Sequence, residues 1–286
     1  MEIKSLGSTS FDTLFKAFSR AFAEYEIQPD KTELQAMFKR RGFLPDLSFA
    51  AFEGDEIVAF TCNGIGNFEG VPTAYDTGTG TLKEYRGQGL ATRVFEYSIP
   101  YLKERGIEQY LLEVLQHNPK AASVYRNVGF EVSREFNYFS QDNSQVHNEV
   151  KTSDMPHEIK AINIGEFERM IPAFWDFYPS WQNSFESIRR APEAFVSFGV
   201  FTKGNLVGYC VFTPASGDIT QLAVDKKYRR KGLASLLLQK MLELNKYSSV
   251  KLLNTDMAHD DSIKGFLEAK NIPLRGKQFE MIKELK

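Results

Sequence analysis

The 286-residue chain repeats itself, and that constrains its fold more than any other feature. Glu2-Ile3-Lys4, followed by Phe11, Leu14, Phe15 and Phe18, returns as Glu158-Ile159-Lys160, followed by Phe167, Met170, Ile171 and Phe174. Each copy predicts a short strand and then an amphipathic helix. Phe52-x4-Ile57-Val58-Ala59-Phe60 returns as Phe201-x4-Leu206-Val207-Gly208-Tyr209, with turn residues Gly54-Asp55 and Gly204-Asn205, which predicts a β-hairpin twice. The block TGTLKEYRGQGLA, Thr79 to Ala91, returns as LAVDKKYRRKGLA, ending at Ala234. Three blocks in one order, at slowly shrinking separation, mark a duplication, so two copies of one fold and two related sites are expected. The length is enough for two domains, each with its own core. The polar stretch Ser140–Pro156 reads as a linker and sets the division at 1–145 and 146–286. Extra residues of the first half, around Pro29–Leu47 and Gly64–Gly78, are expected as loops near its ligand cleft.

With 42% hydrophobic and 25% charged residues, the composition is that of a soluble globular protein. A formal net charge of −2 gives no long-range pull toward nucleic acid or an anionic membrane, so neither is expected as a partner. Any bound anion must be held by local geometry. The N-terminus lacks the apolar stretch of a signal peptide or membrane span, and a cytoplasmic location is expected. Cys62 and Cys210 each sit in an apolar run and read as reduced core side chains; with four His they offer no zinc spacing.

In each half an apolar strand runs into a basic, glycine-containing turn and then a helix. Gln221-Leu222-Ala223-Val224 precedes Tyr228-Arg229-Arg230-Lys231-Gly232, and Leu233, Leu237, Met241 and Leu244 then fall on one helical face. In the first half Arg86-Gly87-Gln88-Gly89 precedes Leu90, Val94, Tyr97 and Tyr101. A helix start exposes unpaired backbone N–H groups at the positive end of the macrodipole and suits a diphosphate. Neither turn is a P-loop or a dinucleotide fingerprint.

Arg86-x-x-Gly89-x-Ala91 and Arg229-x-x-Gly232-x-Ala234 resemble the pyrophosphate-binding signature of the GNAT acetyltransferase superfamily. The first half adds Asn118-x-x-Ala121-x3-Tyr125-x3-Gly129-Phe130, which is similar to a second element of that superfamily. Asn118, Pro119 and Gly129 also suit helix cap and terminator positions. The resemblance implies an α/β class with a mixed sheet: two tandem GNAT-type acyl-CoA N-acyltransferase domains, each a mostly antiparallel sheet flanked by helices. It implies acetyl-CoA as the cofactor, its diphosphate held by Arg86, Gly87, Gln88, Gly89, Leu90 and Ala91, with Asn118 nearby. In the second half Arg229, Arg230, Lys231, Gly232, Leu233 and Ala234 would do the same. Thr79, Thr81 and Leu82, and Leu222 and Val224, would bond the pantetheine arm, and Tyr125 would reach the thioester sulfur.

The chemistry is modest. A neutral amine attacks the thioester carbonyl, a backbone N–H meets the oxyanion, and the departing thiolate receives a proton. Tyr125 suits the last role as general acid. Glu113, on the strand Tyr110–Leu115, and Asp76 are candidate bases, with water as a further route. After its loop the second half has neither the Asn-x-x-Ala nor the Gly-Phe of the second element, and Phe266 is the nearest match to the tyrosine. That half is therefore expected to be degenerate and to bind CoA at most, leaving the first half catalytic. The aromatic run Phe174–Trp181 reads as packing or as an acceptor wall. The expected activity is acetyl transfer from acetyl-CoA to a primary amine of a small molecule. A non-catalytic acyl-CoA-binding protein and a peptide or protein N-acetyltransferase are the alternatives, and the oligomeric state is open.

Overall fold

The computed structural model describes residues 1–25, 28–150 and 156–285. In chain order its regular elements are β1 (Glu2–Ser5), α1 (Phe11–Ala21), α2 (Lys31–Arg41), β2 (Phe49–Glu53), β3 (Glu56–Phe68), β4 (Val71–Thr81), α3 (Leu90–Glu104), β5 (Gln109–Leu115) and α4 (Pro119–Asn127). They continue as β6 (Glu131–Asp142), β7 (Glu158–Ala161), α5 (Phe185–Arg190), β8 (Val196–Thr202), β9 (Asn205–Thr213), β10 (Asp218–Val224), α6 (Leu233–Leu244), β11 (Ser249–Asp256), α7 (Asp261–Ala269) and β12 (Leu274–Glu284).

Met1–Ser133 and Phe279–Lys286 form one compact unit, and Arg134–Gln278 forms the other. The division thus differs from 1–145 and 146–286. Phe136 and Phe139 are fully buried, so the stretch entering the supposed linker is strand as far as Asp142; residues 151–155 of that linker lie outside the described residues. The end of the chain contributes to the first unit, where Met281 and Leu285 are buried with Tyr110, Leu112 and Phe130. Leu285 N donates to Glu108 O at 2.8 Å, and Ser133 Oγ donates to Glu280 Oε1 at 2.8 Å.

Each unit carries a mixed sheet. In the first the strand order is β1-β2-β3-β4-β5, antiparallel except for the parallel pair β4/β5. In the second it is β7-β8-β9-β10-β11-β6, with β10/β11 the parallel pair. The duplication extends to irregularities of register. Ala51 faces Ala59 but Phe52 faces Ile57, leaving Val58 bulged, and Val200/Gly208 and Phe201/Leu206 bulge Val207 in the same way. The Val58 carbonyl accepts from Leu82 N, and the Val207 carbonyl from Asp225 N, each at 2.9 Å. Thr77 of β4 and Thr220 of β10 form a second matched pair of bulges.

The copies differ where their local chemistry differs. Ser10 caps α1 by accepting from Thr13 N. Its counterpart is not one helix but two 3-10 turns, Ile164–Phe167 and Ile171–Phe174, because Pro172 has no N–H to continue an α-helical ladder. The second hairpin turns on Lys203-Gly204, both at positive φ, and Asn205 already pairs with Thr202. The first half's extra residues are regular structure, not loops. Asp30 and Glu33 close a capping box at the start of α2, which buries Leu34 and Phe38. Gly64 lets α2 approach β3, since a Cβ there would lie 2.1 Å from the Arg41 carbonyl oxygen. Leu90, Val94, Phe95, Ser98 and Leu102 form the buried stripe of α3; Tyr97 and Tyr101 instead stand partly out, against the Phe49 ring. Each aliphatic or aromatic side chain taken fully inside contributes about 1.5–3 kcal/mol.

Candidate active site

The parallel pair parts early in each unit. β4 faces β5 at Thr73/Gln109, Ala74/Tyr110 and Tyr75/Leu111, just before the Thr77 bulge. β10 faces β11 at Asp218/Lys251, just before Thr220. Thr79, Thr81 and Leu82, and Leu222 and Val224, lie beyond these points and are held by their outer neighbours β3 and β9. The parted strands lead to the glycine turns. Gly89 and Gly232 are the N-caps of α3 and α6, both left-handed (φ 70° and 80°), with no side chain capping either helix. A Cβ added at Gly87 or Gly89 would meet nothing within 4 Å, so the space over the first turn is open. A diphosphate fits this arrangement of free amides and helix dipole. In the second unit Arg230 takes the left-handed position of Gly87, with φ 64°.

The arginines predicted to contact the diphosphate turn the other way. Arg86 donates through Nε to Thr81 O (3.2 Å), through Nη2 to Ala21 O at the end of α1 (2.9 Å), and through Nη1 to Glu24 (2.6 Å). Arg229 repeats this on Val224 O (3.1 Å), Phe174 O (3.0 Å) and Asp176 (2.9 Å). Each guanidinium ties its loop to the preceding helix end. Arg86→Ala is expected to weaken acetyl-CoA binding about tenfold, as loss of charge-assisted bonds would, and calorimetric titration measures it. Lys83 and Arg86 hold the Glu24 carboxyl down, to about 2. A depressed carboxylate stabilises above its unfolded pKa near 4.5 and loses that contribution as pH falls toward 2, so Glu24→Gln should lessen acid destabilisation across that window in thermal melts.

Tyr125, from α4, donates to Asp76 Oδ2 at 2.9 Å. Thr79 Oγ1 donates to the same oxygen at 2.8 Å, and Gly78 N to Oδ1 at 2.8 Å. Both side chains keep a partly exposed edge, yet enough protein surrounds them to shift their titration. Burial raises the Asp76 carboxyl, against the hydrogen bonds of Thr79, Tyr125 and Gly78 and the charge of Arg41. Burial and then the Asp76 charge push the Tyr125 hydroxyl well above 10. Glu113 lies one residue from Leu112 and Val114, which face the Tyr125 side of the sheet. Strand alternation sends it to the opposite face, where it acts on Tyr75. Of the two candidate bases, Asp76 is the one in contact with Tyr125. Asn118 caps α4, accepting from Ala121 N at 3.2 Å. Cys62 and Cys210 are buried free thiols; burial lifts Cys210 to about 12 and Cys62 well above its usual value, so neither offers a thiolate.

The second unit contains a cavity of about 1680 Å³, lined by Leu222, Val224, the Arg229–Ser235 loop, Trp175, Asn254 and Phe266. This exceeds the roughly 300–1,000 Å³ of an ordinary small-molecule site. Its lining includes the charged Asp176, Arg229, Arg230 and Lys231, and a neutral chain of hydrogen bonds: Trp175 Nε1 donates to the Tyr209 hydroxyl (2.7 Å), which donates to Gln221 (2.8 Å), which donates to Asn183 O (2.6 Å). Of the Phe174–Trp181 run, Phe174 and Trp181 are buried, while Trp175, Phe177 and Pro179 line the cavity.

The helix ends correct the sequence match to Tyr125. Val128 N–H reaches the Arg126, Tyr125 and Val124 carbonyls, as Lys270 N–H reaches those of Glu268, Leu267 and Phe266. The N-caps Asn118 and Asp260 keep the same register, and Gly129 and Asn271 are both left-handed. The counterpart of Tyr125 is therefore Leu267, one residue beyond Phe266. By the matched bulges, Ile219 stands for Asp76 and Leu222 for Thr79.

The profile of the Acetyltransferase (GNAT) family matches residues 11–130 and again 159–267. The chain belongs to the GNAT acetyltransferase family. It is an acyltransferase of tandem architecture, and GNAT proteins draw their acyl group from acyl-CoA. N-alpha-acetyltransferase 30 of Schizosaccharomyces pombe is 32% identical over 108 residues, 36% of this chain and 72% of that protein. N-alpha-acetyltransferase MAK3 of Arabidopsis thaliana is 26% identical over 117 residues, 40% of this chain and 62% of that protein. Among solved structures, a tandem GNAT protein from the clavulanic acid biosynthesis pathway superposes with a TM-score of 0.74 at 15% identity, over 100% of this chain and 98% of that one. A GCN5-related N-acetyltransferase from Sphaerobacter thermophilus follows the same fold, with a TM-score of 0.70 at 15% identity over 100% and 96%. Among the described residues no helix is long and apolar enough to cross a membrane.

Proposed function

We propose that the first unit transfers an acetyl group from acetyl-CoA to the α-amino group of a polypeptide, and that the second unit holds a CoA thioester without turning it over. The contact of Tyr125 with Asp76 carries this reading, because it sets a proton donor and a carboxylate where the strands part beside an uncapped helix start. The Gly87–Ala91 amides and the α3 dipole hold the diphosphate, and Thr79, Thr81 and Leu82 hold the arm. Tyr125 gives the leaving thiolate its proton. Ile219, Leu222 and Leu267 offer none of this chemistry, which supports a binding role for the second unit. The sequence alone favoured a small-molecule acceptor; the resemblance to N-alpha-acetyltransferases shifts the reading to peptide α-amines.

Thiol release from acetyl-CoA, measured with short peptides bearing free α-amines and with a panel of small primary amines, tests it. Release with peptides is expected. Release with small amines alone would return the acceptor to a small molecule, and no release with either set, despite tight acetyl-CoA binding, would leave the first unit a binding module.

A further inference from the structure

We propose that Asp76 and Tyr125 form a two-residue proton relay: Asp76 takes the proton released by the attacking amine, and Tyr125 passes one to the departing thiolate. The inference rests on the acetyl-transfer reading above and specifies how its two proton transfers are joined. Taken separately, the transfers leave each residue in the wrong state after one turnover, the base protonated and the acid ionised. Asp76 Oδ2 and the Tyr125 hydroxyl are 2.9 Å apart, so one movement of a proton between them restores both.

The direction of that hydrogen bond makes the relay ordered. With Asp76 ionised, the Tyr125 proton points at the carboxylate and is withheld from sulfur. When an amine proton reaches Asp76 Oδ2, the carboxyl becomes the donor and Tyr125 the acceptor, which frees the phenolic proton for the thiolate. The balance closes: the N–H bond breaks and an Asp76 O–H forms; the Tyr125 O–H breaks and an S–H forms; the Asp76 proton then replaces the one Tyr125 lost. Net, one proton passes from nitrogen to sulfur, and no other reactant is consumed. The energetics agree. A phenol of ordinary pKa yields its proton to a thiolate about thirtyfold uphill, and an adjacent carboxylate steepens this. Neutralising Asp76 removes that charge at the moment Tyr125 must act, while burial has already made Asp76 a stronger base than a solvated carboxylate. Thr79 and Gly78 keep the carboxyl aimed. The second unit has lost Asp76, Thr79 and Tyr125 together, to Ile219, Leu222 and Leu267, as expected if they serve as one device.

Full-length Asp76→Asn, Tyr125→Phe and the double variant, assayed with acetyl-CoA and the accepted peptide, test the relay. Asparagine keeps an acceptor for the Gly78 amide, and Asp76→Ser serves should Asp76→Asn lose acetyl-CoA binding. Each single variant is expected to lower kcat about a hundredfold or more with unchanged acetyl-CoA affinity, and the double variant to be no slower than the slower single one, because groups acting as a unit are not additive. The groups bearing on Asp76 are Arg41 of α2, Cys62 of β3, Tyr75 of β4, Tyr110 of β5 and Tyr125 of α4. Asp76 is the one carboxylate among them, so Asp76→Asn should remove its step from the acid limb of kcat/KM and leave the limb set by protonation of the amine. Multiplying losses in the double variant, or full kcat in Asp76→Asn beside a slow Tyr125→Phe, would overturn the relay and leave the acetyl-transfer reading standing. Full activity in both single variants would remove Asp76 and Tyr125 from the proton transfers altogether, again with acetyl transfer standing.

Discussion

A chain ending at Gln278 is expected to lose acetyl transfer completely while retaining acetyl-CoA binding in its second unit. Every residue of that unit, Arg134–Gln278, survives the truncation. The first unit loses Met281 and Leu285 from the cluster holding Tyr110, Leu112 and Phe130, and the Leu285–Glu108 backbone bond with them. Met281 is fully buried, and its replacement by Ala alone should cost about 2–5 kcal/mol. Removing the second half of β12 takes Met281 and Leu285 away together, a large share of the roughly 5–15 kcal/mol that holds a typical domain together. Tyr125 packs on Phe130, ring centroids 5.7 Å apart, so its ring loses support too. Differential scanning calorimetry should show one transition lost, and titration should find one acetyl-CoA site. Wild-type turnover by the truncated chain would refute the role given to this strand.

Tyr125→Phe should reduce kcat by about 10²–10⁴, the range of a general acid, with little change in acetyl-CoA affinity. The substitution removes one oxygen and leaves the ring on Phe130. It also deprives Asp76 Oδ2 of one of its two donors, while Thr79 still serves that oxygen. Losing the hydrogen bond, Asp76 should titrate higher, which predicts an acid limb displaced upward in the residual activity. Rapid-quench measurement of acetyl transfer separates this from product release. An unchanged chemical step would show that the thiolate is protonated from elsewhere.

What was legible in the sequence was local. Strand, basic turn and helix follow each other within a dozen residues at Thr79–Ala91, and turn glycines and apolar periodicity suffice to read them. The bulges at Val58 and Val207 were not legible, because one extra residue in a strand leaves no mark on composition. Nor was the contribution of Phe279–Leu285 to the first unit, since both ends of β12 look like ordinary strand and the pairing is set by contacts more than a hundred residues apart. Choosing Phe266 over Leu267 came from matching ring to ring; the cap hydrogen bonds fix the register, and they are visible only when the helix is folded. Arg86 and Arg229 were read as ligands because their turns resemble the GNAT pyrophosphate-binding signature. Their bonds to Ala21, Glu24, Phe174 and Asp176, 53 to 65 residues away in sequence, leave no mark on that local pattern.

Arg230 has a consequence for engineering. It holds a left-handed backbone at φ 64°, where the other copy has Gly87, and an L side chain there costs roughly 1–2 kcal/mol. Arg230→Gly should therefore leave melting temperature level or higher while thioester affinity at that site declines. Stability screens would select the glycine; a binding screen would restore the arginine, marking a residue kept for its ligand at the fold's expense.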